Sequence, residues 1–352
     1  IDASFDDVYL NDITSIQIQD LNTSIKIVYS PLHGTGGTVI PKLLRQFQYR
    51  VYEVEEEMVP DPAFTHTKSS NPEQSEAYMG ALKKAKEVDA DLILITDPDA
   101  DRLGVAVKHE HTYHLLTGNQ TAAIELDYIL ETSKNIPKNG IVYTTIVTSD
   151  IIKRMAEAKH LKVIETLTGF KFIGEQAELQ DAPYIFGCEE SYGSLISDKV
   201  RDKDAVQACF LLSEITNYYH LQNQTLKDVL DRIYQTYGYH LEYTESIFFK
   251  GISGAKNMAQ IMDAFRQYPL EIPGHNRLEI RDYKQSKQIV GNETFDITLP
   301  KSNVLEYRFE SFWVILRPSG TEPKLKIYFG VKEKDEASAQ DMLSYIKAEV
   351  LK

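Results

Sequence analysis

The sequence predicts an α/β protein, with two three-layer α/β domains followed by a C-terminal antiparallel α+β domain. Three observations carry this reading. Through the first two thirds, short apolar runs alternate with segments of helical periodicity, the rhythm of a sheet covered by helices. In the last third, strand-like runs follow one another with no helix between them. And 352 residues exceed what one hydrophobic core usually holds. The expected domains are 1–113, 114–236 and 237–352.

Composition narrows the class. Hydrophobic residues make up 42% and charged residues 26%, ordinary for a globular protein. No apolar run approaches the ~20 residues of a membrane span, and no secretory signal pattern is present. Cys188 and Cys209 offer no disulfide framework and fit a reducing cytoplasm. The net charge of −14 argues against general nucleic-acid binding. An anionic ligand must then be held by local clusters of Arg, Lys and backbone N–H groups. The chain begins at Ile1, not Met, so a preceding part is expected.

Residues 1–22 read as a polar, partly helical lead-in. Ile25–Tyr29 is a strand, and Val39–Phe47 has helical periodicity. Between them, Ser30-Pro31-Leu32-His33-Gly34-Thr35-Gly36-Gly37 reads as a tight turn, with His33 capping or packing. An anion site at the helix start is the alternative. Arg50–Val54 is a second strand, and 60–72 is irregular. A helix is expected from Asn71-Pro72-Glu73 through Glu87, with Asn71 as its cap and Pro72 at its first position.

Leu92–Ile95 and Gly104–Val107 are buried strands. They bracket Asp97-Pro98-Asp99-Ala100-Asp101-Arg102. Carboxylates at alternate positions repel unless a cation lies between them, and hard oxygen donors favour Mg²⁺ or Ca²⁺. Arg102 adds a phosphate-binding fork beside them. An acidic turn would read the same, since Asp and Pro are common turn residues.

The second unit begins near Leu115. Helices are expected at Asn119–Leu130, Ser149–Ala158, Ile173–Leu179 and Asp204–Leu221, the last carrying an apolar stripe. Strands are expected at Gly140–Thr145, Leu161–Glu165 and Tyr184–Phe186. Thr168-Gly169-Phe170-Lys171 offers a cation in a turn. Gly187–Gly193 offers paired carboxylates and a serine suited to sugar hydroxyls. In the last third, strands are expected at Tyr239–Phe249, Asn276–Asp282, Glu293–Leu299, Val304–Phe309, Phe312–Leu316 and Leu325–Val331. Helices are expected at Gly254–Tyr268 and Glu336–Leu351. The turn Arg317-Pro318-Ser319-Gly320-Thr321 gathers a fork, two hydroxyls and backbone donors, a phosphate cradle. A tight turn with a solvated Arg is the alternative.

Cation loop, hydroxyl binder and phosphate cradle together suggest a phosphosugar ligand. The sequence resembles the α-D-phosphohexomutases, the phosphoglucomutase and phosphomannomutase superfamily. The resemblance rests on Asp97–Arg102, Gly187-Cys188-Glu189-Glu190-Ser191-Tyr192-Gly193 and Arg317–Lys324. Ser30–Gly36, Asn71-Pro72-Glu73, Thr117–Gln120 and Thr168–Lys171 support it. The resemblance implies a cytoplasmic mutase that moves phosphate between O1 and O6 of a hexose through a phosphoserine and a bisphosphorylated sugar. Mg²⁺ would be held by Asp97, Asp99 and Asp101, with glucose 1,6-bisphosphate as intermediate and activator. Arg102 would contact the phosphoserine, and Lys203, within Arg201-Asp202-Lys203-Asp204, would be the general acid/base. Thr168, Gly169, Lys171, Glu189, Ser191 and Arg201 would bind the sugar side. Arg317, Ser319, Gly320 and Thr321 would bind the phosphate that is not reacting.

The sugar loop is similar to that of phosphoglucomutases, which implies glucose phosphate; mannose or pentose phosphates are the alternatives. The superfamily's Thr-x-Ser-His-Asn-Pro loop, which carries the phosphoserine, is not found in these 352 residues. The expectation is therefore domains two to four only, partnered by a serine-bearing first domain and inactive alone. A non-catalytic phosphosugar-binding protein and a Mg²⁺-dependent phosphatase with an aspartyl nucleophile are the competing readings.

Overall fold

The computed structural model describes residues 3–249, 254–320 and 323–352. They divide into two compact units, Ile1–Ile233 and Tyr234–Lys352. Among the described residues, no helix is long and apolar enough to cross a membrane.

The first unit opens with α1 (Ala3–Thr14) and holds two sheets. The first sheet contains β1 (Lys26–Ser30), β2 (Arg50–Glu53), β3 (Leu92–Thr96), β4 (Leu103–His109) and β5 (Thr112–Leu116), in the order β2-β1-β3-β4-β5. β1 runs parallel to β2 and β3; β4 and β5 are antiparallel additions. All five residues of β3, Leu-Ile-Leu-Ile-Thr, are buried, because both faces of the sheet are covered. On one face, Val28, Ile93, Ile95 and Ala106 pack with Ala77, Ala81 and Ala85 of the chain leading into and forming α3 (Met79–Val88). α2 (Ile40–Gln46) packs beside β2.

The second sheet has the order β7-β6-β8-β9. Its strands are β6 (Ile141–Thr145), β7 (Lys162–Thr166), β8 (Tyr184–Glu189) and β9 (Gly193–Leu195). Its helices are α4 (Gly118–Thr132), α5 (Asp150–Ala158) and α6 (Phe170–Leu179). Phe170 and Ile173 of α6 pack on Ile141 and Tyr143 of β6. α7 (Ala205–His220) belongs to both sheets, touching β3 and β4 as well as β9. It is buried almost all round, so the single stripe expected from its sequence understates it. Glu214 and Asn217 of α7 also clasp the lead-in chain. Glu214 accepts from the backbone N–H of Ile18 and Gln19, and Asn217 accepts from that of Ser24. α8 (Leu226–Tyr237) follows α7.

The second unit holds one antiparallel sheet, β10-β16-β15-β14-β11-β12-β13. Its strands are β10 (Tyr239–Phe248), β11 (Arg277–Asp282), β12 (Lys287–Val290), β13 (Glu293–Asp296), β14 (Leu305–Phe309), β15 (Phe312–Pro318) and β16 (Lys324–Glu333). α9 (Gly254–Gln267) and α10 (Glu336–Val350) cover it. Met262, Ala339 and Ile346 of these helices pack on Tyr307, Val314 and Phe329.

The fold class is as the sequence predicts, and five elements are not. The helix expected from Asn71 does not start there. Asn71 Oδ1 accepts from the Glu73 N–H at 3.0 Å in a local turn, Gln74 is extended, and a short 3₁₀ stretch at Ser75–Tyr78 precedes α3. Asn71 serves Arg102 instead, as shown below. β5, which crosses the expected 113/114 boundary, β9, α8 and β12 were also not anticipated. β5 reads Thr-Tyr-His-Leu-Leu, too polar at its start to stand out; the Tyr113 hydroxyl bonds the Ala90 carbonyl at 2.7 Å.

Candidate functional site

Two hairpin tips build the site. β3 and β4 pair through Thr96 and Leu103, so 97–102 form the loop of the first hairpin. β8 and β9 pair through Glu189 and Gly193, so 190–192 form the second. Ala100 (φ 57°) and Tyr192 (φ 67°) take left-handed backbone at the two tips, unusual for side chains with a Cβ. Backbone bonds join the tips. The Leu103 N–H donates to the Tyr192 carbonyl at 2.9 Å, and the Ala205 N–H donates to that of Ala100 at 3.1 Å. Leu-Gly-Val and Glu-Ser-Tyr-Gly, distant in sequence, are thus fixed side by side.

Asp97, Asp99 and Asp101 each place a carboxylate oxygen within 4.8 Å of the others. Asp97 is fully buried. Its Oδ1 accepts the N–H groups of Asp101 and Arg102 at 3.1 and 3.0 Å, and its Oδ2 accepts Arg102 Nε at 2.6 Å. Burial pushes its pKa up to about 6 despite Arg102. Its Oδ2 keeps one lone pair free, and Asp99 and Asp101 are less buried. Three clustered hard oxygen donors at a loop tip fit Mg²⁺. Arg102 is held from both sides, donating also to Asn71 Oδ1 and Glu73 Oε1, each at 3.3 Å.

Lys203 joins the two hairpins. Its ammonium lies 2.9 Å from Asp101, 3.1 Å from Asp202 and 3.8 Å from Glu189. Burial alone would lower its pKa; the Asp101 and Glu189 carboxylates outweigh burial and hold it above its usual value. Glu189 is itself raised by burial, with Lys203 and the Ser191 hydroxyl pulling it back. The next residue, Asp204, accepts the N–H groups of Val206 and Gln207 as the cap of α7, and takes the Tyr9 hydroxyl at 2.7 Å. Gly193 leaves the room that Lys203 needs: a Cβ there would sit 2.1 Å from Lys203 Cδ.

A cavity of about 920 Å³ opens beside this group, lined in part by Asp99, Asp101, Lys171, Arg201 and Lys203. Gly169 (φ 111°) starts α6 just after Thr168, and Lys171 stands 4.9 Å over the Phe172 ring. Arg201 reaches the cavity wall but spends its fork on Glu178, at 2.7 and 3.1 Å. The loop Ser30–Thr35 supports the metal loop from below: the Thr35 N–H donates to the Pro98 carbonyl at 2.9 Å. A Cβ on Gly34 would lie 2.3 Å from Pro98 Cα, which is backbone and cannot swing aside. Gly34→Ala is therefore expected to destabilise the chain by about 2–3 kcal/mol and to weaken Mg²⁺ binding. Urea unfolding with and without Mg²⁺ measures both.

In the second unit, Arg317 stands at the end of β15, opposite Lys326 of β16, and donates to the Tyr328 hydroxyl at 3.3 Å. The Ser319 N–H is taken by the Lys324 carbonyl at 2.7 Å, while Gly320 is exposed with open space around it. Thr321 lies outside the described residues.

Models of three successive domains match the chain in order. They are the phosphoglucomutase/phosphomannomutase alpha/beta/alpha domain II over residues 7–110, alpha/beta/alpha domain III over 117–237 and the C-terminal domain over 271–343. The chain belongs to the phosphoglucomutase/phosphomannomutase family. It is 38% identical to the phosphoglucomutase of Staphylococcus aureus (strain MRSA252) across 94% of its own length and 61% of that protein's. It thus spans about three fifths of that relative. Its fold is similar to the crystal structure of the Paramecium phosphoglucomutase pp63/parafusin, at TM-score 0.71 and 19% identity, covering 98% of this chain and 61% of that one. It is also similar to Aspergillus fumigatus N-acetylphosphoglucosamine mutase, solved in complex with GlcNAc-6P and magnesium. There the TM-score is 0.57 at 14% identity, covering 97% and 68%.

Three residues adjoining the candidate site have no part in it on the sequence reading, which takes Asn71 and Glu73 as a helix start. Asn71 and Glu73 orient Arg102, and Lys326 doubles the positive charge beside Arg317. Lys326 was findable: a lysine two positions from Lys324 on one strand points to the same face. Asn71 was not, because its turn-forming role and a helix cap read alike.

Proposed function

We propose that this chain carries the metal, sugar and phosphate sites of a cytoplasmic phosphoglucomutase-type enzyme. The reaction is interconversion of glucose 1-phosphate and glucose 6-phosphate through a phosphoserine and glucose 1,6-bisphosphate, the serine being supplied from outside these 352 residues. The observation that carries this reading is Lys203, whose ammonium joins Asp101 of the metal loop to Glu189 of the sugar loop. An acid, hydroxyl acceptors and a cation site meet there in one place.

The magnesium in the Aspergillus mutase supports Asp97, Asp99 and Asp101 as its holders here. Bound there, Mg²⁺ would supply Lewis-acid polarisation of a phosphoryl oxygen. Lys203 carries a proton at Nζ throughout the physiological range. It gives that proton to the sugar oxygen as the P–O bond to it breaks, and takes it back in the reverse direction. Glu189 accepts from sugar hydroxyls and Ser191 orients Glu189. Arg102, fixed by Asp97, Asn71 and Glu73, keeps its guanidinium in register for the phosphoserine oxygens. Thr168, Gly169, Lys171 and Arg201 line the sugar side. Arg317, Ser319, Gly320 and Thr321 take the phosphate that is not reacting.

The test is glucose 1-phosphate conversion with Mg²⁺ and catalytic glucose 1,6-bisphosphate. A version extended upstream to include the serine should turn over, and the 352-residue chain alone should not. Turnover by the 352 residues alone would place the phosphoryl carrier within them and overturn the proposal. Asp99→Ala should weaken Mg²⁺ binding by roughly 10²-fold, since even outer-shell changes at metal sites cost 10–100-fold. Titration calorimetry of the 352-residue chain checks this independently of activity.

A further inference from the structure

His33 was expected to cap or pack. It packs: the residue is buried, with its ring edge-on to Phe64. Its ring is 5% exposed, and Nδ1 lies 2.7 Å from the Val59 carbonyl. A carbonyl only accepts, so Nδ1 carries the hydrogen and Nε2 presents a bare lone pair. That Nε2 is buried and has no protein partner. An imidazole that gives its N–H to a backbone carbonyl and keeps the other nitrogen bare is arranged as metal-bound histidines are.

A second imidazole stands next to it. The His66 ring centroid is 5.8 Å from that of His33, with the planes 35° apart. Two imidazoles sharing one ion at ~2.0–2.1 Å from each nitrogen have centroids about 5–6 Å apart. Phe64 closes one side, edge-on at 6.2 Å. His66 is exposed and lines a surface cavity of about 270 Å³ with Glu55, Glu57, Lys83 and Lys84. The Glu57 carboxylate is buried and bonded by the Ser30 hydroxyl.

We propose that His33 Nε2 and His66 form a two-imidazole site for a borderline divalent cation of the zinc class, separate from the carboxylate loop. Imidazole nitrogen selects zinc, copper and nickel, whereas the carboxylates of 97–101 select hard ions. Among the described residues, the only set of three or more metal-ligating side chains within reach of one another is Asp97, Asp99 and Asp101. The imidazole site therefore has two protein ligands, and solvent completes its shell. It lies one residue from Gly34, which packs on Pro98.

The test uses the 352-residue chain with Zn²⁺ as the probe and Asp99→Ala as the background, which removes the competing carboxylate site. One equivalent of zinc should bind. Long-range ¹H–¹⁵N spectra should show the His33 Nε2 resonance move on its addition. His66→Ala, at an exposed position, should abolish that equivalent, and His66→Gln should do the same. Zinc uptake unchanged in both variants, or a His33 Nε2 resonance indifferent to zinc, overturns the proposal.

Discussion

Lys203→Met is expected to lower turnover by roughly 10²–10⁴-fold in an enzyme that also carries the upstream serine, the range that one general acid contributes. The magnitude follows from its position. Among the described residues Lys203 alone contacts both Asp101 and Glu189. Arg102, 3.7 Å from Asp101, is a guanidinium that does not give up its proton, so there is no substitute donor there. The same change should strengthen Mg²⁺ binding. An ammonium 2.9 Å from Asp101 competes with a metal for the same oxygen, and Met removes that competitor. Steady-state rates together with Mg²⁺ titration separate the two effects. An unchanged kcat would sink the assignment of Lys203 as the acid.

The second large effect concerns pH and Glu125. This α4 residue is wholly buried, accepts the Ser194 hydroxyl at 3.2 Å, and leaves its other oxygen without a partner. Burial raises its pKa to about 8. The folded state therefore holds this proton more tightly than the unfolded chain does. The stability it contributes is complete below pH 4.5, declines as pH rises toward 8, and is gone above that. Ionising it in place costs up to ~5 kcal/mol. Asp97, raised to about 6, acts with the same sign over its own range. The urea midpoint of the metal-free chain should therefore fall between pH 5 and pH 8. Glu125→Gln, nearly the shape of the neutral acid, should remove most of the fall between pH 6 and pH 8. A variant whose midpoint tracks the parent's across that range would show that Glu125 ionises without cost.

The sequence displayed some parts of this molecule openly. The 97–102 loop was legible because Leu92–Ile95 and Gly104–Val107 are continuous apolar runs, so the residues between them had to form a hairpin tip. The C-terminal sheet was legible for the opposite reason, as strand after strand with no helix to cross over. The Lys203 contact was not. It depends on which loops lie at neighbouring tips, and that is decided by α7 packing, not by any local pattern. Asn71 misled because an amide before Pro can cap a helix or close a turn, and only Arg102 decides which. β9, three residues long, carries no periodicity to detect.

α7 has a consequence for motion. Because it is shared by both sheets and clasps the lead-in chain through Glu214 and Asn217, the halves of the first unit cannot slide or hinge apart without opening a buried helix along its whole length. The 97–102 and 187–193 loops are therefore tied to one another, through α7 and through the backbone bonds at their tips. If the proposed reaction requires opening, the tie between these two loops places that opening elsewhere than between them.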